Sequence, residues 1–281
     1  MKFLFVGNRR FVLEEIIKSN VKITKVLVIK NSYLENDIIK MNVDFEVIDS
    51  KKELIRQIEI NDFDVLVSNG CPYILPISKL KNKTYVNIHP SYLPDLKGVD
   101  PCIGALLFNR DSGATCHLMN DQIDSGDIIS RVKIPYSRDL DISLLYQLSF
   151  IAESKAFSMA LKRNFKPIKV RNYSSDLIYY TRKPNDRIIN FEDSNLVIIN
   201  KVKAFNNASQ GCVFKVNDID FIVYEATILR NKFLINLSKS FEDRTIIFNY
   251  EDSIVFKKDN EVMKFFKVLG SVNKLKQGDK I

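Results

Sequence analysis

Two histidines in 281 residues make each of them informative. His89 sits in YVNIHPSYLPDLKG, where an apolar run ends and a Pro/Gly loop begins. In an extended chain side chains alternate, so Asn87 and His89 share one face while Val86 and Ile88 take the other. Pro90 and Pro94 stop the strand, and Gly98 lets another group approach the backbone closely. Asp124 follows His89 by 35 positions, in the tight loop IDSGD. A histidine at a strand end is usually structural when it stands alone; Asn87 and Asp124 change that reading here. An amide that can donate to an oxyanion, an imidazole near neutrality and an orienting carboxylate suit acyl transfer. Ser91 lacks the strained Gly-x-Ser-x-Gly turn of a serine nucleophile, so the acyl acceptor is expected to be the substrate itself. His117 lies in the strand before the Asp124 loop and is read as a core histidine, with a place behind the site residues as the alternative.

These residues need a rigid frame, and the first 170 positions supply the pattern of one. KFLFVG, ITKVLVIK, DFEVID, DVLVSNG and TYVNIH read as strands, rich in β-branched and aromatic residues and flanked by Gly, Asn and Pro. Helical patterns alternate with them in FVLEEIIKS, DIIKMN and KKELIRQIEI, the last capped by Asp49-Ser50. Such alternation predicts an α/β fold with a doubly wound parallel sheet. Ligands in these sheets bind beyond the carboxyl ends of strands, which is where Asn87 and His89 fall. ATCHLM and DIISRVKIPY add two strands around NDQIDSG, and DISLLYQLSFIAESKAFSMALKRN closes the domain as a long helix.

A connector at about 165–185 then divides a catalytic domain, residues 1–175, from a smaller domain, residues 186–281. LVIINKVKAF reads as a short helix, and CVFKV, DFIVYEATIL, KFLINL, RTIIFNY and SIVFKK as short strands, predicting a small β-rich, OB-like unit.

Composition narrows the function classes. No apolar run reaches membrane-span length, and the start MKFLFVGNRR holds too short a hydrophobic stretch for a signal peptide. Cys71, Cys102, Cys116 and Cys212 show no metal-ligand spacing, so reduced thiols in a cytoplasmic protein and no metal site are expected. The net charge of +8 is spread evenly: 25 basic against 21 acidic residues up to 179, and 17 against 13 beyond. No basic tract marks a nucleic-acid surface. VGNRRF is not Gly-x-Gly-x-x-Gly, which removes the dinucleotide fingerprint. It does place Asn8, Arg9 and Arg10 at a strand-to-helix turn, where backbone N–H groups and forked guanidinium groups favour anions.

NIHPSYLPDLKG with IDSGDII resembles the folate-dependent formyltransferase family. Asn87, His89 and Asp124 match its Asn-x-His and Asp pattern, and Ser91, Leu93, Pro94 and Gly98 match the extension that follows. The resemblance covers the whole first domain and reaches more weakly into YYTRKPNDRIINFED and the β-rich end. It implies transfer of a formyl group from N10-formyltetrahydrofolate to a primary amine, with no metal. Asn87 would donate to the developing oxyanion, His89 would stabilise it and shuttle the proton, and Asp124 would orient the imidazole. Tyr73, Ile74 and Leu75, with Asn120, Asp121 and Asp124, are the implied folate contacts.

For the amine, relatives acting on phosphorylated substrates hold phosphate at the corner of Asn8, Arg9 and Arg10. Ser91, Tyr92, Lys97 and Gly98 complete the implied acceptor contacts; Lys97 stands where many relatives have Arg. The segment VIKNSYLENDIIKMN lacks the long basic insertion of the tRNA enzymes, and the β-rich end is absent from the glycinamide ribonucleotide enzyme. A nucleotide-linked amino sugar is therefore the expected partner, dTDP-4-amino-4,6-dideoxyglucose for surface polysaccharide the first choice. Methionyl-tRNA formyltransferase is the alternative. The β-rich end offers edges that suit a homodimer.

Overall fold

The computed structural model describes residues 1–170 and 176–281. The end of the expected first domain and part of the expected connector fall on 171–175, outside the described residues. The chain divides into two compact units, Met1–Pro101 with Asp111–Pro135 and Tyr146–Tyr180, and Cys102–Arg110 with Tyr136–Leu145 and Thr181–Ile281. The short segments 102–110 and 136–145 thus group with the second unit, a division that no single cut in the sequence expresses.

The first unit is built on β1 (Lys2–Gly7), α1 (Phe11–Lys18), β2 (Lys22–Ile29), α2 (Tyr33–Asp37), β3 (Phe45–Ile48), α3 (Lys51–Ile60), β4 (Val65–Asn69) and β5 (Thr84–His89). In chain order α4 (Pro101–Leu107) follows, grouping with the second unit from Cys102 on; the first unit resumes with β6 (Ser112–Leu118), β7 (Ile128–Ile134) and α5 (Ile142–Lys162), the last from Tyr146. Seven strands form one sheet in the order β3-β2-β1-β4-β5-β6-β7. The first five run parallel, and β6 and β7 pair antiparallel, so the sheet is mixed where alternation alone predicts parallel strands. The loop after β6 is too short for a crossover helix, and β7 returns beside β6 as a hairpin.

Central strands of this kind are apolar on both faces because helices cover both. In β1, Phe3 and Phe5 pack with Val12, Leu13, Ile16 and Phe157 on one side. Leu4 and Val6 pack with Leu54, Ile58, Phe63 and Tyr85 on the other. The cap predicted for α3 is Ser50, whose side chain accepts from Glu53 N at 3.3 Å. The DIIKMN pattern resolves into α2 followed by a 3₁₀ turn, Ile38–Met41.

The second unit holds α6 (Asn195–Ala204), β8 (Cys212–Val216), β9 (Ile219–Leu229), α7 (Lys232–Ser238), β10 (Thr245–Tyr250), β11 (Ser253–Lys258) and β12 (Glu261–Leu269). Its five strands form an antiparallel sheet in the order β10-β11-β12-β9-β8. Phe265 anchors an aromatic core, 4.8 Å from Phe256 and 5.2 Å from Phe214 between ring centres. KFLINL, predicted as a strand, is the helix α7. The reason is local: the Asn231 side chain accepts from Leu234 N at 3.1 Å, a cap that starts a helix.

Phe157 ties α5 to the sheet through Phe3, with ring centres 6.4 Å apart. Phe157→Ala is expected to cost about 3–5 kcal/mol, read from urea unfolding of the pure variant; a loss under about 1 kcal/mol would contradict this packing.

Candidate active site

Strand register brings the polar side chains together. Ser68 of β4 pairs with Asn87 of β5, and β6 then sets His117 opposite Asn87 and Thr115 opposite His89. Val86 and Ile88 are buried in the core cluster that also holds Phe3 and Phe5, which fixes the direction of the fork.

His89 is 5% exposed. Its Nε2 lies 3.0 Å from the Leu96 carbonyl and its Nδ1 lies 3.5 Å from Asp124 Oδ2. A carbonyl can only accept, so Nε2 carries the proton and Nδ1 faces the carboxylate. Burial pushes the imidazole below its ordinary range, while Asp124 and the Leu96 carbonyl pull the other way. The net result is a ring held neutral and able to take a proton. Asp124 is penalised by burial as well, yet its carboxyl stays below the usual range, with His89 and the Gly98 N–H opposing that penalty. Gly98 N donates to Asp124 Oδ2 at 3.1 Å.

The loop after β5 is braced from several directions. Leu96 adopts φ +56°, a conformation costly for a residue of its size, and this turns its carbonyl toward His89. Asp95 Oδ1 accepts from Leu96 N at 3.0 Å and from Ile178 N at 2.8 Å. Thr115 Oγ1 donates to the Ser91 carbonyl at 2.7 Å and accepts from Leu93 N. On the other side, Gly126 leaves room for the Asp124 loop: a Cβ there would lie 1.8 Å from the Leu118 carbonyl oxygen. Asp124 itself takes φ +47°, which aspartate tolerates better than most residues.

The structure brings the buried His117 against Asn87 and Asp124, the arrangement of the alternative reading. Its Nε2 lies 3.3 Å from Asn87 Nδ2 and 3.6 Å from Asp124 Oδ1, and its Nδ1 lies 2.7 Å from the Leu118 carbonyl. At 3.6 Å its Nε2 is beyond hydrogen-bond reach of Asp124. The signal that would have found it is the β5–β6 register, which a single sequence does not display.

The remaining expected contacts divide. Ile74 is 55% exposed, Tyr73 packs partly on the core and Leu75 is inside it. Asp121 Oδ1 accepts from Ser78 N at 3.0 Å, which holds its carboxyl low and ties the Asn120–Asp124 loop to the turn after Leu75. Asn120 Oδ1 accepts from Gln122 N and Ser125 Oγ, shaping the loop from within. Ser91 is fully buried and donates to the Asp95 carbonyl at 3.0 Å, so its hydroxyl serves the loop. Tyr92 is covered by the Arg131 guanidinium, 4.2 Å from the ring centre. The backbone of Lys97 pairs with Ile178 and Tyr180.

Asn8 stands at the switch point between β1 and β4: its N donates to the Asn69 carbonyl, and its side chain fills the space beside Gly70, φ +74°. Arg9 turns inward. Its Nη2 donates to Glu153 Oε1 at 2.8 Å, beneath the surface on α5, and its guanidinium lies over Phe150. Burial pushes the Glu153 carboxyl up, with Arg9 opposing. Arg10 stays outward, near Glu14 and Asp37. Among the described residues no group of three or more His, Cys, Asp or Glu side chains could hold a metal, and no helix is long and apolar enough to cross a membrane.

Residues 12–161 match the formyl transferase family model, more than half of the chain. The chain belongs to this family. A methionyl-tRNA formyltransferase of Buchnera aphidicola is 24% identical over 217 residues, 76% of this chain and 63% of that protein. This chain spans 46–63% of the length of the first such curated relatives. Among solved structures, an N-formyltransferase from Helicobacter canadensis, in complex with folinic acid and dTDP-3-aminofucose, superposes with TM-score 0.71 at 21% identity. That match covers 96% of this chain and 100% of the other. A 4-N formyltransferase from Francisella tularensis gives TM-score 0.66 at 20% identity, covering 77% and 93%. At these identities the structural likeness establishes the shared fold.

At this candidate site, Gly126→Ala is expected to displace the Asp124 loop and, if the site is the catalytic one, lower turnover by about 100-fold, measured against wild type at equal folded concentration. Turnover within twofold of wild type would show that the close approach of the loop to Leu118 is dispensable.

Proposed function

We propose that this chain moves a formyl group from N10-formyltetrahydrofolate to the primary amine of a nucleotide-linked amino sugar, with dTDP-4-amino-4,6-dideoxyglucose the first choice. The observation that carries the transfer is the buried His89–Asp124 pair, with Asn87 two residues away on the same strand face. Asn87 offers an amide N–H to the negative charge that develops on the formyl oxygen. His89, held neutral, takes the proton of the attacking amine on Nδ1, and Asp124 stabilises the imidazolium that results.

The folate derivative supplies an activated one-carbon unit, and the residues beside the crevice suit it. Ile74 and Ile123 expose apolar surface on two loops that Asp121 and Ser78 hold together. Tyr73, Asn120 and Asp121 lie on the same two loops and complete the proposed contacts.

Two comparisons favour a sugar over a tRNA. The match to the Helicobacter enzyme covers 96% of this chain and 100% of that one, whereas the Buchnera tRNA enzyme is matched over 76% of this chain and 63% of its own. Between β2 and β3 there is only α2 and one 3₁₀ turn, too little for a tRNA-binding insertion. In this reading Arg10, the outward arginine, holds the nucleotide's phosphates together with Lys97, and Arg9 shapes the corner from within. The product would feed surface polysaccharide synthesis in the cytoplasm.

Tetrahydrofolate release is expected when N10-formyltetrahydrofolate is supplied with a panel of dTDP-, UDP- and GDP-linked sugars bearing a C3 or C4 amine. Turnover with initiator methionyl-tRNA alone would select the tRNA reading instead. In the same assay His89→Asn should lower kcat by about 10²–10⁴-fold with little change in sugar affinity. Arg10→Ala should raise KM for the nucleotide-sugar about tenfold; an equal rise for an amine acceptor without phosphates would remove its anion role.

A further inference from the structure

We propose that His117 is a positioning residue: with its proton on Nδ1, it uses the bare Nε2 to hold the Asn87 amide with its NH2 group, rather than its carbonyl, toward the ring. The proposal deepens the formyl-transfer reading, because the orientation of the amide decides where Asn87 presents its N–H groups.

The argument starts from what each partner can do. The Leu118 carbonyl has no proton to give and lies 2.7 Å from His117 Nδ1, so the proton on that bond belongs to the ring. A neutral imidazole carries one such proton, which leaves Nε2 as an acceptor. Asn87 Nδ2 lies 3.3 Å from it. Turned over, the amide would set its carbonyl oxygen against a ring lone pair, and that arrangement is repulsive. One N–H of Asn87 is thus spent on His117, and the second is left for the substrate.

Asp124 makes the proton position consequential. Its Oδ1 is 3.6 Å from His117 Nε2 and its Oδ2 is 3.5 Å from His89 Nδ1. A proton on His117 Nε2 would claim the carboxylate that His89 uses and reverse the Asn87 amide at the same time. The backbone carbonyls prevent this by selecting opposite tautomers: Leu118 keeps the His117 proton on Nδ1, and Leu96 keeps the His89 proton on Nε2. Asn87, Leu118, Asp124 and the His89 ring are the charged or polar neighbours the structure shows beside His117, which is almost wholly buried. With no surface to offer a substrate, the ring acts through Asn87.

Only two histidines are present, so long-range ¹H–¹⁵N spectra of the ¹⁵N-labelled chain show two imidazoles, assigned with His117→Gln. At a pH where both rings are neutral, His117 should show a protonated Nδ1 and a pyridine-like Nε2, and His89 the reverse. The same tautomer in both rings, or a proton on His117 Nε2, overturns the proposal. This measurement uses no substrate, so its outcome stands apart from the choice of acceptor. In turnover, His117→Leu should lower kcat about 100-fold with KM for the amino sugar within threefold. His117→Gln, whose amide oxygen can accept from Asn87, should recover to within about tenfold of wild type. Equal loss in both variants, or full activity in the leucine variant, overturns it; if the leucine variant does not fold, the spectra and the glutamine variant decide.

Discussion

The structure turns on one constraint: a single carboxylate must stand beside a desolvated imidazole at the end of a buried strand. Taking His89 out of water disfavours its charged form, and Asp124 supplies the opposing pull without reaching hydrogen-bond contact. The balance leaves a neutral ring that gains a nearby counter-charge whenever it accepts a proton. Maintaining that balance requires the β5 loop and the Asp124 loop to meet within a narrow tolerance. Gly98 supplies an N–H to Asp124, and Gly126 removes the Cβ that would otherwise strike Leu118. Leu96 accepts an unfavourable backbone conformation so that its carbonyl meets His89. Ser91, Thr115 and Asp95 are spent on the same loop, which explains why polar side chains so close to the crevice point away from it.

Much of this was legible in the sequence because it is local. Alternation in VNIH set the fork, proline and glycine marked the strand end, and the aspartate loop had a recognisable shape. The alternation of strands and helices gave the sheet, since each run carried its own period. What escaped was set by partners far along the chain. Arg9 looks free in GNRR, but Glu153 lies 144 positions away on α5 and draws the guanidinium inward. His117 looks like a core residue in ATCHLM until the β5–β6 register places it against Asn87. KFLINL misled for a smaller reason: a six-residue apolar run fits either period, and the capping asparagine before it decides.

The inward turn of Arg9 also redistributes the charges at the β1 corner. Of the two adjacent arginines, one is paired beneath the surface with Glu153 and one faces solvent near Asp37. The switch point between β1 and β4 and the fork on β5 lie at the carboxyl ends of neighbouring parallel strands. In the proposed reading, a phosphate at one and an amine at the other place a nucleotide-linked sugar across these strand ends, and the apolar loops at Ile74 and Ile123 are left for the formyl donor.

The central claim is that burial depresses His89 while Asp124 partly restores it. The most direct measurement is the NMR titration of the His89 ring in the wild type and in Asp124→Asn. The wild-type midpoint should fall below the ordinary value of about 6.5, and loss of the negative neighbour should lower it further, since the imidazolium then has less to stabilise it. A midpoint that rises or stays fixed when Asp124 loses its charge would contradict the account.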